Sequence, residues 1–486
     1  MKHIHFIGIC GVAMSALAIA FKKENWHVTG SDVGFYPPIS THLKDAGIDF
    51  YPGWHPNKMI AAGVPDLVVV GNVASSHNPE WLYVQEKKLN YQSYPEVIAK
   101  YFVKKNSIVV AGTFGKTTST ALVTWILREA GFDPSYMFGG LGLNGLESAG
   151  IADTSWSVLE GDEYKASRSD TGPKFAYYAP THLLLTSVVW DHADVYQTEA
   201  SYVEAFRKLV AMVPANGLRV ISEKAIGVIP VKTGIYSKTG LTIDSRFRGN
   251  DKKNWGDNVV TYGHDAANDY VYTNCVQTKN GLTFDIIHEQ KKYSMKSSCL
   301  GEYMADNITG CFTLAHQLGI TPEKIITAVG MFRGMKRRLE KRYAAPPAGG
   351  VSVFDDIAHS PSKATAILET LKAVYKTHLI AVFEPNAGCR RPQAALWYDH
   401  AFAAADEVII PRLTKIKVDE NEAPPFEGED IARLIGKTHK KVEYIDDDGA
   451  LITTLKKRLH PRAVVVFLGS HGFRGMIETL ITKLSS

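Results

Sequence analysis

A lysine and two threonines follow a glycine-bearing loop in this 486-residue chain. Residues 108–111 are apolar and β-like, residues 112–115 begin and end with glycine, and residues 116–127 have a helical pattern. A strand, a tight loop and a helix in this order wrap main-chain N–H groups around a phosphate. In such an arrangement Lys116 would contact the outer phosphates of a nucleotide, and the Thr117 hydroxyl would bind Mg²⁺.

The loop is a shortened form of the Walker A pattern, because Val110 stands where the full pattern has glycine. An ordinary strand-to-helix turn would account for the glycines, but it needs no lysine at this place. We therefore predict that nucleotide is bound by the loop and the start of the helix. The predicted ATP-binding residues here are Gly112, Thr113, Gly115, Lys116, Thr117 and Thr118.

Acids and a histidine end the next two buried β-like runs. Glu160 ends the first and is followed by two further acids, and His192 follows the second, which covers residues 182–190. Parallel strands deliver the residues at their carboxyl ends to one edge of a sheet. Together with Lys116 and Thr117, Glu160 and His192 predict a shared metal and phosphate site at this edge.

The start of the chain has two β-like runs joined by a helical pattern, as in a dinucleotide-binding unit. Gly8 and Gly11 lie at the first turn, and Asp32 follows the second run. Cys10 and Ala13 stand where the full fingerprint has glycine. We therefore expect another diphosphate, rather than NAD, at the N-terminus of this helix.

Three further segments leave alternatives open. The polar loop 73–80 either binds a ligand or only caps the helix that follows it.

Residues 224–254 lack sustained periodicity and resemble a translated DNA repeat, which predicts a poorly ordered surface insertion. The alternative for this segment is a basic loop that binds an anion. The cations within residues 333–342 form either a solvated face or a contact for a transferring phosphoryl group.

The alternation of β-like and helical runs predicts an α/β fold of three domains. We expect a Rossmann-like N-terminal domain over residues 1–104 and a central P-loop ATPase-type domain over residues 105–342. A Rossmann-like C-terminal α/β domain would follow over residues 343–486. The length of the chain also exceeds what a single hydrophobic core accommodates.

Composition excludes several classes of protein. A formal net charge of +4 favours neither nucleic acid nor a membrane surface as the main partner. No apolar run approaches the roughly 20 residues of a membrane span, and the N-terminus leaves no room for a signal peptide. The five cysteines are scattered, which indicates reduced thiols. We predict a cytoplasmic protein whose oligomeric state the sequence leaves open.

Taken in order, the motifs resemble those of the Mur ligase family over nearly the whole chain. The segments that carry this resemblance are 112–117, 160–163, 191–196, Asn307, 337–340 and 355–361. The resemblance implies a ligase that uses ATP and Mg²⁺ to form a carbon–nitrogen bond between a UDP-sugar carrier and an amino acid or peptide.

Residues 8–11 and 36–41 are most similar to one branch of the family. That branch joins the tripeptide L-alanyl-γ-D-glutamyl-meso-diaminopimelate to UDP-N-acetylmuramate through an acyl phosphate, in peptidoglycan recycling. The branch that adds L-alanine to the same sugar during biosynthesis is the alternative. A nucleotide-binding NTPase switch is the alternative outside the ligases.

The resemblance also implies that Thr117, Glu160 and His192 bind two Mg²⁺ ions, and it implies roles for residues beyond the phosphate loop. Asn307 would approach the adenine, Arg338 and Asp356 would hold the nucleotide, and His359 would lie near the incoming amine. The residues expected to face the UDP-sugar are Gly8, Gly11, Met14, Ser15, Asp32, Ser75 and Asn78. The predicted catalytic set is Lys116, Glu160, His192, Arg338 and His359.

Some positions depart from the family pattern. Phe114 replaces the histidine that is usual in the most similar branches, and Tyr303 and Met304 replace a His-Asn pair. Arg207 stands where some branches carry a carbamylated lysine, and an arginine cannot take that role.

Overall fold

The computed structural model describes residues 1–35, 39–168, 170–192, 195–226, 258–344, 350–416 and 423–485. The chain forms two compact units, one of residues 1–275, 283–297 and 303–333, the other of residues 276–282, 298–302 and 334–486. Of the predicted insertion 224–254, residues 224–226 belong to a short helix, and the remainder lies outside the described residues.

The first sheet consists of parallel strands separated by helices. The strands are β1 (His3–Ile7), β2 (His27–Asp32), β3 (Asp49–Pro52), β4 (Leu67–Val70) and β5 (Tyr91–Ser93). The helices are α1 (Val12–Lys23), α2 (Ile39–Asp45), α3 (Pro56–Met59), α4 (Pro79–Glu86) and α5 (Tyr94–Tyr101). The strand order β3-β2-β1-β4-β5 is that of a Rossmann-like unit, with β1 fully buried at the centre.

One face of β1 and β2 carries polar side chains, because the parallel register places His3 beside His27 and His5 beside Thr29. The Thr29 hydroxyl lies 2.9 Å from His3 Nε2 and 2.8 Å from His5 Nδ1. These hydrogen bonds satisfy polar groups that would otherwise be costly to bury within a sheet.

The carboxylate of Glu80 in α4 completes this buried polar layer. It accepts hydrogen bonds from the Ser31 hydroxyl, from the Tyr51 hydroxyl at 2.6 Å and from the main-chain N–H of His55 at 2.8 Å. Burial alone would raise the pKa of Glu80, but His5 and the two hydroxyls outweigh burial and lower it. Glu80 therefore ties α4 to the strands as an ionised group.

The second sheet is the largest in the described ranges. Its strands are β6 (Asn106–Ala111), β7 (Ser135–Met137), β8 (Ala149–Gly150), β9 (Trp156–Gly161), β10 (His182–Leu185), β11 (Leu218–Ser222), β12 (Val259–Gly263), β13 (Tyr270–Thr278), β14 (Gly281–His288) and β15 (Lys291–Ser297). The helices of this part of the chain are α6 (Lys116–Glu129), α7 (Glu199–Met212), α8 (Glu223–Ile226), α9 (Glu302–Gln317) and α10 (Pro322–Met331). The strand order is β15-β14-β13-β12-β11-β10-β6-β9-β7-β8.

In this sheet β6 lies between β9 and β10, and both pairings are parallel. The register places Val110 beside Glu160 and Ala111 beside Leu185. The three strands therefore end together at one edge, and the segments that follow them meet there.

The third sheet is parallel except for β16, which pairs antiparallel with β17. The strands are β16 (Glu340–Ala344), β17 (Ser352–Asp356), β18 (Leu379–Glu384), β19 (Glu407–Pro411), β20 (Val442–Ile445) and β21 (Val464–Gly469), in the order β16-β17-β21-β18-β19-β20. The helices are α11 (Pro361–Tyr375), α12 (Gly428–Gly436), α13 (Asp448–Arg458) and α14 (Met476–Ser485).

The predicted α/β class is confirmed by these three sheets and their helices. The domain boundaries after residues 104 and 342 stay predictions. Among the described helices, none combines the length and the apolar character that crossing a bilayer requires.

We expect Glu80→Ala to lower the free energy of unfolding by about 3 kcal/mol, because buried donors lose their shared acceptor. Urea unfolding followed by tryptophan fluorescence measures this change. Glu86→Ala in the same helix is the matched control, since Glu86 is exposed and forms a surface ion pair with its neighbour Lys87. Equal destabilisation by the two substitutions would show that Glu80 does not hold α4 to the sheet.

Candidate active site

The loop between β6 and α6, residues 112–115, is shaped by its two glycines and is called the phosphate loop below. Gly112 and Gly115 have φ angles of +132° and +80°, which side chains rarely tolerate. A Cβ atom on Gly112 would lie 2.2 Å from Thr186 Oγ1 and 2.8 Å from the main-chain nitrogen of Ser187. Glycine is therefore required for both the backbone conformation and the close packing of the loop.

The segment after β10 holds the phosphate loop from one side. The main-chain N–H of Thr113 donates to the carbonyl of Ser187 at 2.9 Å, and that of Phe114 donates to the Ser187 hydroxyl at 3.0 Å. The Thr113 hydroxyl donates to the carbonyl of Val189 at 2.8 Å. Ser187 is thus a structural anchor of the loop, and nothing in the sequence pattern distinguished it.

Lys116, the first residue of α6, turns its side chain back over the phosphate loop. Its Nζ donates to the carbonyl of Gly112 at 2.6 Å and lies 2.8 Å from Glu163 Oε2. Burial by itself would lower the pKa of Lys116, but the carboxylates of Glu163 and Asp162 outweigh burial and raise it. The lysine is therefore a permanent cation at the loop.

Thr117 and Glu160 form the oxygen pair that a magnesium ion would need. The Thr117 hydroxyl donates to Glu160 Oε1 at 2.7 Å, and the main-chain N–H of Gly139 donates to Glu160 Oε2 at 2.6 Å. No cluster of three or more His, Cys, Asp or Glu side chains suited to a metal occurs in the described residues. A hydroxyl and one carboxylate fit Mg²⁺, which keeps several waters and takes further oxygens from substrate phosphates.

His192 follows β10 with a left-handed backbone, at a φ of +56°. Its carbonyl oxygen accepts from the main-chain N–H of Tyr196 at 2.8 Å, which fixes the turn. The ring packs edge-on against Tyr164, and Nε2 lies 3.6 Å from Glu163 Oε1. The structure thus places His192 against Glu163, a residue that we did not predict although the sequence shows it among the acids after β9.

Asn307 in α9 is buried against the start of α6. A Cβ atom on Gly115 would lie 2.4 Å from its Oδ1. The Cys311 thiol, one helical turn further on, donates to the carbonyl of Ser119 at 3.6 Å and ties α9 to α6. Thr118 is half-buried in the first turn of α6. The roles of Asn307 and Thr118 toward ATP stay predictions.

The turn after β1 has the geometry of an anion site at a helix N-terminus. Gly8 has a φ of +92°, and its N–H donates to the carbonyl of Ser31 at 2.8 Å. Asp32 Oδ2 accepts from the main-chain N–H of Cys10 at 2.8 Å. Gly11 is the N-cap of α1 and has no side chain, so no N-cap side chain hydrogen-bonds to the first N–H groups of α1.

The other residues predicted to face the UDP-sugar are more enclosed. Met14 is buried and packs near Gly71, and the buried Ser15 hydroxyl donates to the carbonyl of Val12 at 3.0 Å. Asn78 caps α4, because its Oδ1 accepts from two main-chain N–H groups at 3.0 Å, while Ser75 is half-buried. In this structure Asn78 therefore caps the helix, which is the second of the two alternatives for loop 73–80. Roles for Met14, Ser15, Ser75 and Asn78 in binding the UDP-sugar stay predictions.

The remaining predicted residues belong to the second compact unit. Asp356 is buried at the end of β17, where it accepts from the N–H groups of Leu339 at 2.5 Å and Ala358 at 2.7 Å. Burial raises the pKa of Asp356 to about 6, against the opposing charge of Arg338, which is itself exposed. His359 Nδ1 donates to the carbonyl of Ile357 at 2.8 Å, so any role as a proton acceptor falls to Nε2.

We expect Gly115→Ala to weaken ADP binding by about tenfold or more, because its Cβ would collide with Asn307 and distort the phosphate loop. Titration calorimetry with ADP measures the affinity. Gly131→Ala is the matched control: it lies just beyond α6 with a φ of +91° and open space around its Cβ position. An affinity for ADP that is equal in both variants would mean that the contact between residue 115 and Asn307 does not affect nucleotide binding.

We expect the unfolding free energy contributed by Asp356 to fall as the pH rises from about 4 to about 6. In this window the unfolded carboxyl is ionised while the folded one still holds its proton, at a cost of about 1.4 kcal/mol per pH unit. Asp356→Asn should remove this slope in urea unfolding, whereas the exposed Asp399→Asn should keep it. An unchanged slope in Asp356→Asn would contradict the raised pKa.

Comparison with known families covers most of the chain. Residues 3–105 match the catalytic domain of the Mur ligase family, residues 110–315 its middle domain and residues 337–471 its glutamate ligase domain. Two solved structures share the fold over 100% of this chain and 99% of theirs. A UDP-N-acetylmuramate–alanine ligase from Thermotoga maritima has a TM-score of 0.77 at 21% identity, and a murein peptide ligase from Psychrobacter arcticus has 0.69 at 23%.

Relatives of known activity extend this result. The UDP-N-acetylmuramate–L-alanyl-γ-D-glutamyl-meso-2,6-diaminoheptandioate ligase of Haemophilus influenzae is 31% identical over 394 residues, 80% of each chain. The enzyme of the same name from Escherichia coli is 29% identical over 99% of this chain and 98% of its own. The UDP-N-acetylmuramate–L-alanine ligase of Mesorhizobium japonicum is 27% identical over 96% and 94%.

The implied three-domain architecture, ligase class and use of ATP and Mg²⁺ are confirmed by these matches. The chain belongs to the Mur ligase family and is an ATP-dependent ligase that forms carbon–nitrogen bonds.

Proposed function

We propose that this enzyme joins the tripeptide L-alanyl-γ-D-glutamyl-meso-diaminopimelate to UDP-N-acetylmuramate, in peptidoglycan recycling in the cytoplasm. The observation that carries this proposal is the identity of 31% and 29% to two ligases named for these two substrates. One of the two alignments spans nearly the full length of both chains.

The reaction begins from a carboxylate on the sugar, which is a poor electrophile. Transfer of the terminal phosphoryl group of ATP to this carboxylate gives an acyl phosphate and ADP. The free amine of the tripeptide then attacks the acyl carbon, and inorganic phosphate leaves from the tetrahedral intermediate as the amide forms. Stabilisation of the charge on the transferring phosphoryl group is the largest catalytic contribution expected of such a site.

In this proposal Lys116 contacts the outer phosphates and spreads their charge. Mg²⁺, when bound, neutralises phosphate charge and orients the phosphates for transfer. Thr117 and Glu160, already in contact through one hydrogen bond, would hold the metal together with His192. The first turn of α1 and the loop after β4 would hold the UDP-sugar.

Arg338 and His359 are the remaining residues to which we assign roles. Arg338 is an exposed cation next to Asp356, whose two main-chain hydrogen bonds fix the turn that carries it. We propose that Arg338 contacts the nucleotide and that His359 Nε2 takes the proton that the ammonium of the acceptor loses to become the attacking amine.

L-Alanine is the alternative acceptor. Several relatives that cover at least 96% of this chain at 27–28% identity are named as UDP-N-acetylmuramate–L-alanine ligases. Both acceptors present an L-alanyl amine to the same sugar, so the two proposals differ only in what binds beyond the first residue of the acceptor.

We expect phosphate release, measured with ATP, Mg²⁺ and UDP-N-acetylmuramate, to be at least about 100-fold more efficient (kcat/KM) with the tripeptide than with L-alanine. A site built for the polar groups of a longer acceptor rejects one that lacks them. Mass spectrometry should identify the amide product, and Lys116→Ala should give no turnover with either acceptor. A higher efficiency with L-alanine would assign the chain to the alternative.

A further inference from the structure

The ammonium group of Lys116 is enclosed by oxygen atoms. Nζ lies 2.6 Å from the carbonyl oxygen of Gly112, 3.4 Å from that of Thr113, and 3.0 and 2.8 Å from the two carboxylate oxygens of Glu163. A lysine has three N–H donors, and these four oxygen atoms are enough to engage all of them. A phosphate that binds to Lys116 must therefore replace an existing contact.

Glu163 is the acceptor that a phosphate can best replace, because it is the only anion among the contacts just named. Its side chain is 1% exposed and is fixed from two sides. The Tyr202 hydroxyl lies 3.2 Å from Oε1, and the Tyr196 hydroxyl donates to the main-chain oxygen of Glu163 at 2.6 Å. The carboxylate is thus held beside the lysine rather than left on a mobile side chain.

The same carboxylate is connected to the phosphate loop and to His192. The Tyr202 hydroxyl lies 2.9 Å from Thr113 Oγ1, and His192 Nε2 lies 3.6 Å from Glu163 Oε1. Glu163 therefore sits between the lysine predicted to bind phosphates and the histidine predicted to bind metal.

We propose that Glu163 is a positioning residue that holds Lys116 in the phosphate loop between turnovers and releases it to the terminal phosphates when ATP binds. The proposal rests on the phosphate-binding role of Lys116 in the proposed function, and not on the identity of the acceptor. Binding then exchanges one anion for another at the same cation, so the broken contact with Glu163 offsets part of the affinity for ATP.

This exchange has a consequence that depends on the length of the phosphate chain. The lysine of a phosphate loop reaches the β- and γ-phosphates, so ADP and ATP compete with Glu163 whereas AMP does not. Removing the charge of Glu163 should therefore strengthen the binding of the longer nucleotides alone.

The test is Glu163→Gln, which keeps the shape of the side chain and an acceptor for Tyr202. Titration calorimetry in a chelating buffer, without Mg²⁺, should show about three- to tenfold tighter binding of ADP and of an ATP analogue with a β,γ-imido bridge. The affinity for AMP should stay unchanged. Unchanged or weaker binding of the imido analogue would overturn the proposal.

Asp162→Asn is the matched control. It also removes one acidic charge near Lys116, but Asp162 pairs with Lys174, and no direct contact between Asp162 and Lys116 is found among the described ion pairs. We expect it to change the affinity for the imido analogue by less than about twofold. A gain equal to that of Glu163→Gln would mean that net charge, rather than the held lysine, sets the affinity, and would overturn the proposal.

The double variant Lys116→Ala/Glu163→Gln distinguishes a carboxylate that holds the lysine from one that only repels the phosphates. In a Lys116→Ala background the gain from Glu163→Gln should shrink, because the carboxylate no longer has a lysine to hold. An equal gain in both backgrounds would mean that Glu163 only repels phosphates, which contradicts the proposal. If Glu163→Gln does not fold, Glu163→Asp, whose shorter side chain withdraws from Nζ, should give a smaller gain of the same sign.

These outcomes also distinguish this proposal from the proposed function. If Lys116→Ala binds the imido analogue as tightly as the wild type does, Lys116 does not have the phosphate-binding role on which both proposals rest. If Lys116→Ala weakens the binding of the imido analogue but Glu163→Gln leaves it unaltered, only the role proposed for Glu163 is contradicted. Neither result bears on the choice between tripeptide and L-alanine.

Discussion

The active site depends on the position of β6 between β9 and β10. Because both neighbours run parallel to β6, the phosphate loop, the acids after β9 and the segment after β10 leave the sheet at the same edge. The chain separates Lys116 from Glu163 by 47 residues, yet their charged atoms lie within 3 Å of each other. Strand order, rather than any local motif, brings these groups into contact.

Much of this arrangement follows from local patterns in the sequence. The strand, tight loop and helix at the phosphate loop were predicted from an apolar run, two glycines and a helical pattern that follow one another, and the structure has β6 and α6 there. The Rossmann-like order of the first sheet also followed from its alternating strands and helices. Such predictions succeed because their physical cause lies within a few neighbouring residues.

The contacts that cross the fold were not predictable in the same way. Ser187 anchors the phosphate loop through its carbonyl and its hydroxyl, but a serine after a buried strand is unremarkable by itself. The role of Glu163 depends on the rotamer of Lys116 and on two tyrosines, one of them in α7. The buried carboxylate of Glu80 likewise acquires its partners from β2, β3 and the turn before α3. These features are tertiary, and they depend on which elements become neighbours.

Phe114 is the residue of the phosphate loop that we expected to depart from the family pattern, and its hydrogen bond to the Ser187 hydroxyl uses the main chain alone. Residue 114 supports the loop through its main-chain N–H, while its side chain is 43% exposed. A main-chain N–H donates this hydrogen bond whichever side chain the residue carries, proline excepted. The hydrogen bond that supports the loop therefore does not restrict which side chain residue 114 carries.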